Sequence, residues 1–222
     1  LWPVPGGERH EAVDLMLPSP TGIIGHTVTI DPEGRHALAT AFGSTTSLLS
    51  RAGEAPRNLF GFPPTDRIFT GAFSPSGRLV ASASGISDGQ PTLRIWDLQT
   101  DEVRTFDQPE DPQATDTGST YSMAFAGETT LYTAGANGLL RWDVETGDFE
   151  QVLAAHRVGW LVMSLASDAR AMLTYVGLPP GNVRAPGSVT LHDLSTGQVR
   201  LLEVPGEGQL RLGVHLGGVV AL

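Results

Sequence analysis

The sequence predicts an all-β chain assembled from repeated four-stranded antiparallel units, and three observations carry that prediction. A strand-like segment recurs as Leu93-Arg94-Ile95-Trp96-Asp97-Leu98, Leu140-Arg141-Trp142-Asp143-Val144 and Val189-Thr190-Leu191-His192-Asp193-Leu194, with the self-similarity expected of a structural repeat. Each copy runs into a polar turn of one shape, Gln99-Thr100-Asp101-Glu102, Glu145-Thr146-Gly147-Asp148 or Ser195-Thr196-Gly197-Gln198, and then into a second alternating segment such as Val103-Arg104-Thr105-Phe106 or Val199-Arg200-Leu201-Leu202. Upstream lies a matching hairpin. Its clearest copies are Ile30-Asp31-Pro32-Glu33-Gly34-Arg35-His36-Ala37-Leu38-Ala39 and Phe73-Ser74-Pro75-Ser76-Gly77-Arg78-Leu79-Val80-Ala81-Ser82, with weaker ones at Phe125–Tyr132 and Leu165–Met172.

The copies keep phase. Trp142 lies 46 residues after Trp96, His192 lies 50 after Trp142, and Trp2 lies 94 before Trp96, or two periods of 47. The copy implied near position 49 is Leu48-Leu49-Ser50, degraded but in register with the rest. Four short strands in such a unit match one blade of a β-propeller, for which about 40–45 residues are usual. The expected organisation is a single domain: a half blade over 1–21, full blades over about 22–66, 67–119, 120–157 and 158–206, and a half blade over 207–222. Two closures fit this count. Residues 210–222 could pair with residues 1–17 into a composite blade of a five-bladed ring, or the chain is an open segment that needs flanking blades. A seven-bladed ring would take roughly 330 residues at this period, and an open arc would leave strand edges bare.

These residues resemble the WD-repeat, or β-transducin-like, propellers of bacterial type. The resemblance rests on Trp96-Asp97 and Trp142-Asp143, on Phe73-Ser74-Pro75-Ser76-Gly77-Arg78, and on Ala155-His156 lying nine residues before Leu165. It covers essentially the whole chain. The family's hydrogen-bonded set of loop His, strand Ser/Thr, turn Asp and strand Trp is nowhere complete: the fourth full unit offers His156 and Thr174 but carries His192 at the Trp position. The resemblance implies an interaction platform, in bacteria often the C-terminal sensor or scaffold of a larger protein such as a serine/threonine kinase.

Composition excludes several chemistries. All fourteen basic residues are arginine, so a phosphate-binding loop with its lysine, a kinase strand lysine and Schiff-base catalysis have no residue to work with. The chain has no cysteine, which removes thiol nucleophiles, disulfides and thiolate metal sites. A net charge of −10 opposes nucleic-acid binding, whose affinity comes largely from phosphate neutralisation. No apolar run approaches the roughly 18–20 residues of a membrane-spanning helix. Residues 1–5 carry no signal-peptide pattern, which leaves the compartment open, with the cytoplasm slightly favoured.

Candidate catalytic patterns are weaker than the repeat. Gly85-Ile86-Ser87-Asp88-Gly89 matches a Gly-x-Ser-x-Gly elbow, but Pro91 and a strand follow where a helix is required. Histidines 10, 26, 36, 156, 192 and 215 show no metal-ligand spacing. The acidic run from Asp107 through Glu110, Asp111 and Asp116 lacks the regular arrangement of a calcium loop. No catalytic residue, metal or cofactor is expected within these residues.

The reading is therefore a non-catalytic platform that binds a protein or peptide on the face where the second and fourth connections of each unit gather. Those connections are long, at residues 60–67, 85–91, 107–119 and 177–187, and loops on a repeat scaffold commonly carry binding. Candidate contact residues are Phe62, Arg67, Asp88, Glu110, Asp111, Asp116, Leu178 and Arg184. The acidic loop suits a basic partner. Trp96 and Trp142 read as packing between blades, and Asp97, Asp143 and Asp193 as acceptors for the amides of their turns. The alternative is a propeller accompanying a prolyl-oligopeptidase-type hydrolase, or a Tol-type periplasmic propeller.

Overall fold

In the computed structural model, residues 26–41, 46–50, 52, 55, 57–59, 67–85, 91–109, 119–154, 160–166, 168–177, 188–202, 212–215 and 218–221 are described. Their regular elements are all strands. Four antiparallel sheets follow one another along the chain, each with its strands in sequence order. The first holds β1 (His26–Ile30), β2 (His36–Ala41), β3 (Thr46–Ser50) and β4 (Arg57–Leu59). The second holds β5 (Arg67–Phe73), β6 (Leu79–Gly85), β7 (Thr92–Asp97) and β8 (Glu102–Asp107). β9 (Thr120–Phe125), β10 (Thr130–Gly135), β11 (Gly138–Asp143) and β12 (Phe149–Leu153) form the third, and β13 (Trp160–Leu165), β14 (Ala171–Gly177), β15 (Ser188–Asp193) and β16 (Val199–Leu202) the fourth. A hairpin of β17 (Leu212–His215) and β18 (Gly218–Ala221) follows. Residues 1–21, expected to hold the first half blade, lie outside the described residues.

The sheets radiate from their first strands: β1 adjoins β5, β5 adjoins β9, and β9 adjoins β13. In the second, third and fourth sheets burial falls outward to the last strand, whereas β1 of the first sheet is exposed, Val28 at 55% and Ile30 at 64%. Every residue of β6 is buried, whereas β8, β12 and β16 are largely exposed. Because side chains alternate across a strand, one strand feeds two apolar layers. Val80 joins Leu38, Leu48, Leu59 and Ile68 between the first and second sheets. Its neighbours Leu79 and Ala81 join Leu93, Ile95, Leu131 and Trp142 between the second and third. Tyr132, Leu139, Leu161, Met163 and Met172 fill the layer between the third and fourth. Emptying one such position to Ala in a close-packed core costs about 2–5 kcal/mol.

The repeat is exact in register where the sequence is degenerate. Leu79 pairs with Asp97, Thr130 with Asp143, Ala171 with Asp193, and His36 with Ser50. Ser50 thus occupies the turn-opening position of the first sheet, and its Oγ accepts the Ala52 amide at 3.2 Å, as the aspartates do elsewhere.

Candidate interaction face

Strand alternation sends the connections to opposite ends of the sheets, and the two ends are built differently. At one end every described hairpin turn closes on itself. Asp97 Oδ1 accepts the amides of Gln99 and Thr100 at 2.9 and 3.3 Å, Asp143 Oδ1 those of Glu145 and Thr146 at 2.8 and 3.0 Å, and Asp193 Oδ1 those of Ser195 and Thr196 at 2.9 and 3.0 Å. These are Asx turns, in which a short polar side chain replaces a missing backbone partner. The donors favour the ionised carboxylate, so the Asp143 carboxyl lies below its ordinary value chiefly through the Thr146 and Glu145 amides, and that of Asp193 chiefly through the Ser195 hydroxyl and the Thr196 amide. At Asp97 the Arg78 guanidinium adds an ion pair, Nε at 2.9 Å and Nη2 at 2.5 Å, and holds the carboxyl down to about 2.

The first-to-second-strand turns at this end are also tied. Ser74 Oγ accepts the Leu79 amide at 3.1 Å, and Asp31 Oδ1 the Arg35 amide at 2.6 Å. Burial alone would raise the Asp31 carboxyl, but the His36 and Arg35 amides and the His36 ring hold it below its usual range. Ser76 links its turn to the next sheet, donating its amide and hydroxyl to Glu128 at 2.8 and 3.0 Å.

The opposite end receives the connections between β4 and β5, β6 and β7, β8 and β9, β14 and β15, and β16 and β17. Two connections depart from the expected long pattern: only four residues, 42–45, separate β2 from β3, and β10 and β11 are joined by Ala136–Asn137 alone. Gly135 pairs with Gly138, which takes φ +88 directly after the two turn residues. Such a left-handed glycine lets a hairpin reverse in two residues.

Gln108 fastens this end and was not among the expected site residues. Its side chain is buried, with Nε2 donating to the carbonyls of Ser84 and Thr92 at 3.1 and 3.2 Å and Oε1 accepting from Thr120 Oγ1 at 2.9 Å. Both roots of the acidic connection are therefore anchored at one place, joining the second sheet to the third. Nothing in the sequence distinguishes this glutamine from its polar neighbours.

Arg67 opens β5 opposite Gly85, at this end. Phe62, Asp88, Glu110, Asp111, Asp116, Leu178, Arg184 and His156 lie outside the described residues. The other repeat positions, Trp96, Asp97, Trp142, Asp143, His192 and Asp193, are described. Trp142, fully buried, donates Nε1–H to Thr133 Oγ1 at 2.9 Å. Trp96 packs against the layer between the first and second sheets, and its Nε1–H donates to Asp101 Oδ1 at 3.1 Å. Ser82, which corresponds to Thr133, instead donates to the Thr70 carbonyl at 3.2 Å. His192 sits at 3% exposure with Nε2 2.9 Å from Thr174 Oγ1, and burial lowers its pKa from the ordinary value.

Among the described residues, no group of three or more His, Asp or Glu could hold a metal ion, and no helix is long and apolar enough to cross a membrane. No family model and no curated protein matches the chain. Its fold is similar to those of solved structures. TolB from Acinetobacter baumannii superposes with a TM-score of 0.54 at 17% identity, over 79% of this chain and 42% of that one. An oligogalacturonate lyase in complex with manganese gives 0.54 at 10%, over 80% and 53%. Kuenenia stuttgartiensis hydrazine synthase gives 0.56 at 14%, over 79% and 48%. These neighbours are propeller folds, of which the chain spans roughly half the length, and its four radial antiparallel sheets make it a β-propeller.

Proposed function

We propose that the chain is a non-catalytic interaction platform of WD-repeat type, binding a protein or peptide with basic character on the face that gathers the long connections, and forming the C-terminal part of a larger bacterial protein such as a serine/threonine kinase. One observation carries this reading: the two ends of the sheets differ in construction. One end consists of short turns whose carboxylates are spent on their own amides. The other carries the long connections, the acidic one rooted in the buried Gln108 clasp. A rigid scaffold presenting longer segments at one end is how repeat proteins commonly build a binding face. With a net charge of −10, electrostatic attraction would speed encounter with a basic partner.

The test is fluorescence anisotropy of a labelled penta-arginine peptide. Glu110→Lys with Asp111→Lys should weaken its binding and leave thermal unfolding unchanged. The same reversal at Glu145 and Asp148, on the short-turn end, should matter much less. Equal losses from the two double variants would reduce the effect to net charge, and unaltered binding would remove the acidic connection from the proposed site.

The second reading, a Tol-type propeller or one attached to a hydrolase, is favoured by the likeness to TolB. The full reading frame separates the two: a kinase domain supports the platform, and a secretion signal or hydrolase domain supports the alternative.

A further inference from the structure

The third strands of the second, third and fourth sheets place Trp96, Trp142 and His192 at one repeat position, facing the preceding sheet. The register makes the equivalence direct, since Trp96 pairs with Val80, Trp142 with Leu131 and His192 with Met172. Val80, Leu131 and Met172 each lie in the apolar layer shared with the preceding sheet. Thr174 then bonds His192 as Thr133 bonds Trp142, both at 2.9 Å. A side chain that can take up a proton has therefore replaced an indole inside an inter-sheet layer.

We propose that His192 makes the junction between the third and fourth sheets acid-sensitive, so that its protonation releases β13–β16 from the third sheet while the second and third sheets stay docked.

Among the described residues, the surroundings offer an imidazolium no counter-charge from its own sheet. On the same face of the fourth sheet stand Leu161, Met163, Met172, Thr174, Thr190, Val199 and Leu201, none of them ionisable in this range. The turn before β14 carries Asp168 and Arg170 at the sheet's end, where the Asp168 carboxylate accepts the Arg170 amide at 3.0 Å. The facing side of the third sheet carries Tyr132, Arg141, Asp143 and Glu150. Burial raises the Tyr132 pKa and so keeps the phenol neutral, Arg141 and Glu150 pair with each other at 3.3 Å, and Asp143 holds the amides of its own turn. Burial of His192 without a charged partner favours the neutral ring. The neutral ring binds fewer protons in the docked state than in the released one, so docking is fully favoured above the ordinary histidine range near 6.5. It weakens as pH falls from there towards the lowered value. The fourth sheet can respond separately because sub-global opening follows units with their own interfaces.

Hydrogen exchange of the full chain at pH 7.5 and 5.5, corrected for the intrinsic rate, reads this directly. Amides of β13–β16 should open more often at the lower pH, by up to about tenfold, the linkage limit for one unit below 6.5, with β5–β11 unchanged. His192→Gln, which keeps a hydrogen-bonding group for Thr174, should abolish the difference, and so should His192→Trp. The ring carbon resonance of His192 in the unaltered protein gives a check that needs no variant, with a midpoint below 6.5 expected. A midpoint at or above 6.5, an acid response spread evenly over the sheets, or a response retained by His192→Gln would each overturn the proposal.

Discussion

Arg57, on the outer strand of the first sheet, reaches the next sheet and places Nη2 2.5 Å from Asp101 Oδ1. The same carboxylate oxygen accepts from Trp96 Nε1 at 3.1 Å, and the guanidinium carbon lies 5.4 Å from the centre of the Trp96 ring. The relation recurs one sheet on. Arg104 of β8 donates to the Val144 carbonyl at 2.8 Å, and the Phe106 ring fills the space where a side chain on Gly147 would stand. The outer strands of the first two sheets thus brace the last hairpin turn of the sheet that follows each.

That bracing explains an unusual backbone. Asp101 takes φ 62, a left-handed conformation that Gly147 and Gly197 occupy in the equivalent turns at φ 80 and 72. For a residue with a Cβ this costs roughly 1 kcal/mol, which an exposed ion pair worth about 0–1 kcal/mol offsets in part. Asp101→Gly should therefore leave the urea midpoint nearly unchanged, whereas Asp101→Ala, which keeps the strain and loses the contacts, should lower stability by about 1 kcal/mol. At Gly147 a Cβ adds a collision with the Phe106 ring to the strain, while at Gly197 it meets nothing within 4 Å among the described residues. Gly147→Ala should then cost clearly more than Gly197→Ala, and Phe106→Ala in the Gly147→Ala background should recover the excess. Equal costs at the two glycines would show that the ring does not brace the turn.

Thr46 gives a prediction of opposite sign. It holds the position filled by Leu93, Leu139 and Val189 in the later sheets, is fully buried, and its hydroxyl has no hydrogen-bond partner among the described residues. An unsatisfied buried polar group costs about 1–3 kcal/mol. Thr46→Val keeps the shape and removes the hydroxyl, so it should raise the unfolding free energy by about 1 kcal/mol without changing the dependence on denaturant. A loss of stability would mean that the hydroxyl is satisfied in solution.

These positions show how far the sequence could be read. Trp96-Asp97 and Trp142-Asp143 announce their strands because two rare residues recur in phase. Leu49 and Ser50 are recognisable only by that phase, since neither resembles its counterpart, and the register shows that they hold the same place. The short connection after β10 was open to view in Gly135-Ala136-Asn137-Gly138, where Asn-Gly is a strong hairpin signal. The general expectation of long second connections obscured it. Gln108 and Thr46 have no local signature, because what distinguishes Gln108 is the company of residues 12 to 24 positions away, and what distinguishes Thr46 is its burial.

The Asp97–Arg78 pair adds an ion pair to the acid sensitivity that the depressed turn aspartates Asp143 and Asp193 give the later sheets. The carboxyl ordinarily titrates at 3.8 and is held at about 2, first by the hydrogen bonds from Arg78 and then, against the opposing effect of burial, by the amides of Gln99 and Thr100. A carboxylate depressed in the folded state binds fewer protons there than in the unfolded chain. Its contribution is therefore complete above the unfolded value of 3.8 and is lost as pH falls from there to about 2. Asp97→Asn keeps an oxygen for the turn amides but cannot titrate. The variant should be less stable than the parent at pH 7, and the gap should close as pH is lowered through that window. Arg78→Met should bring the Asp97 carboxyl resonance up towards 3.8, leaving only the turn amides to depress it. A gap between Asp97→Asn and the parent that stays constant from pH 7 to 2 would show that the ion pair contributes no more in the folded chain than in the unfolded one.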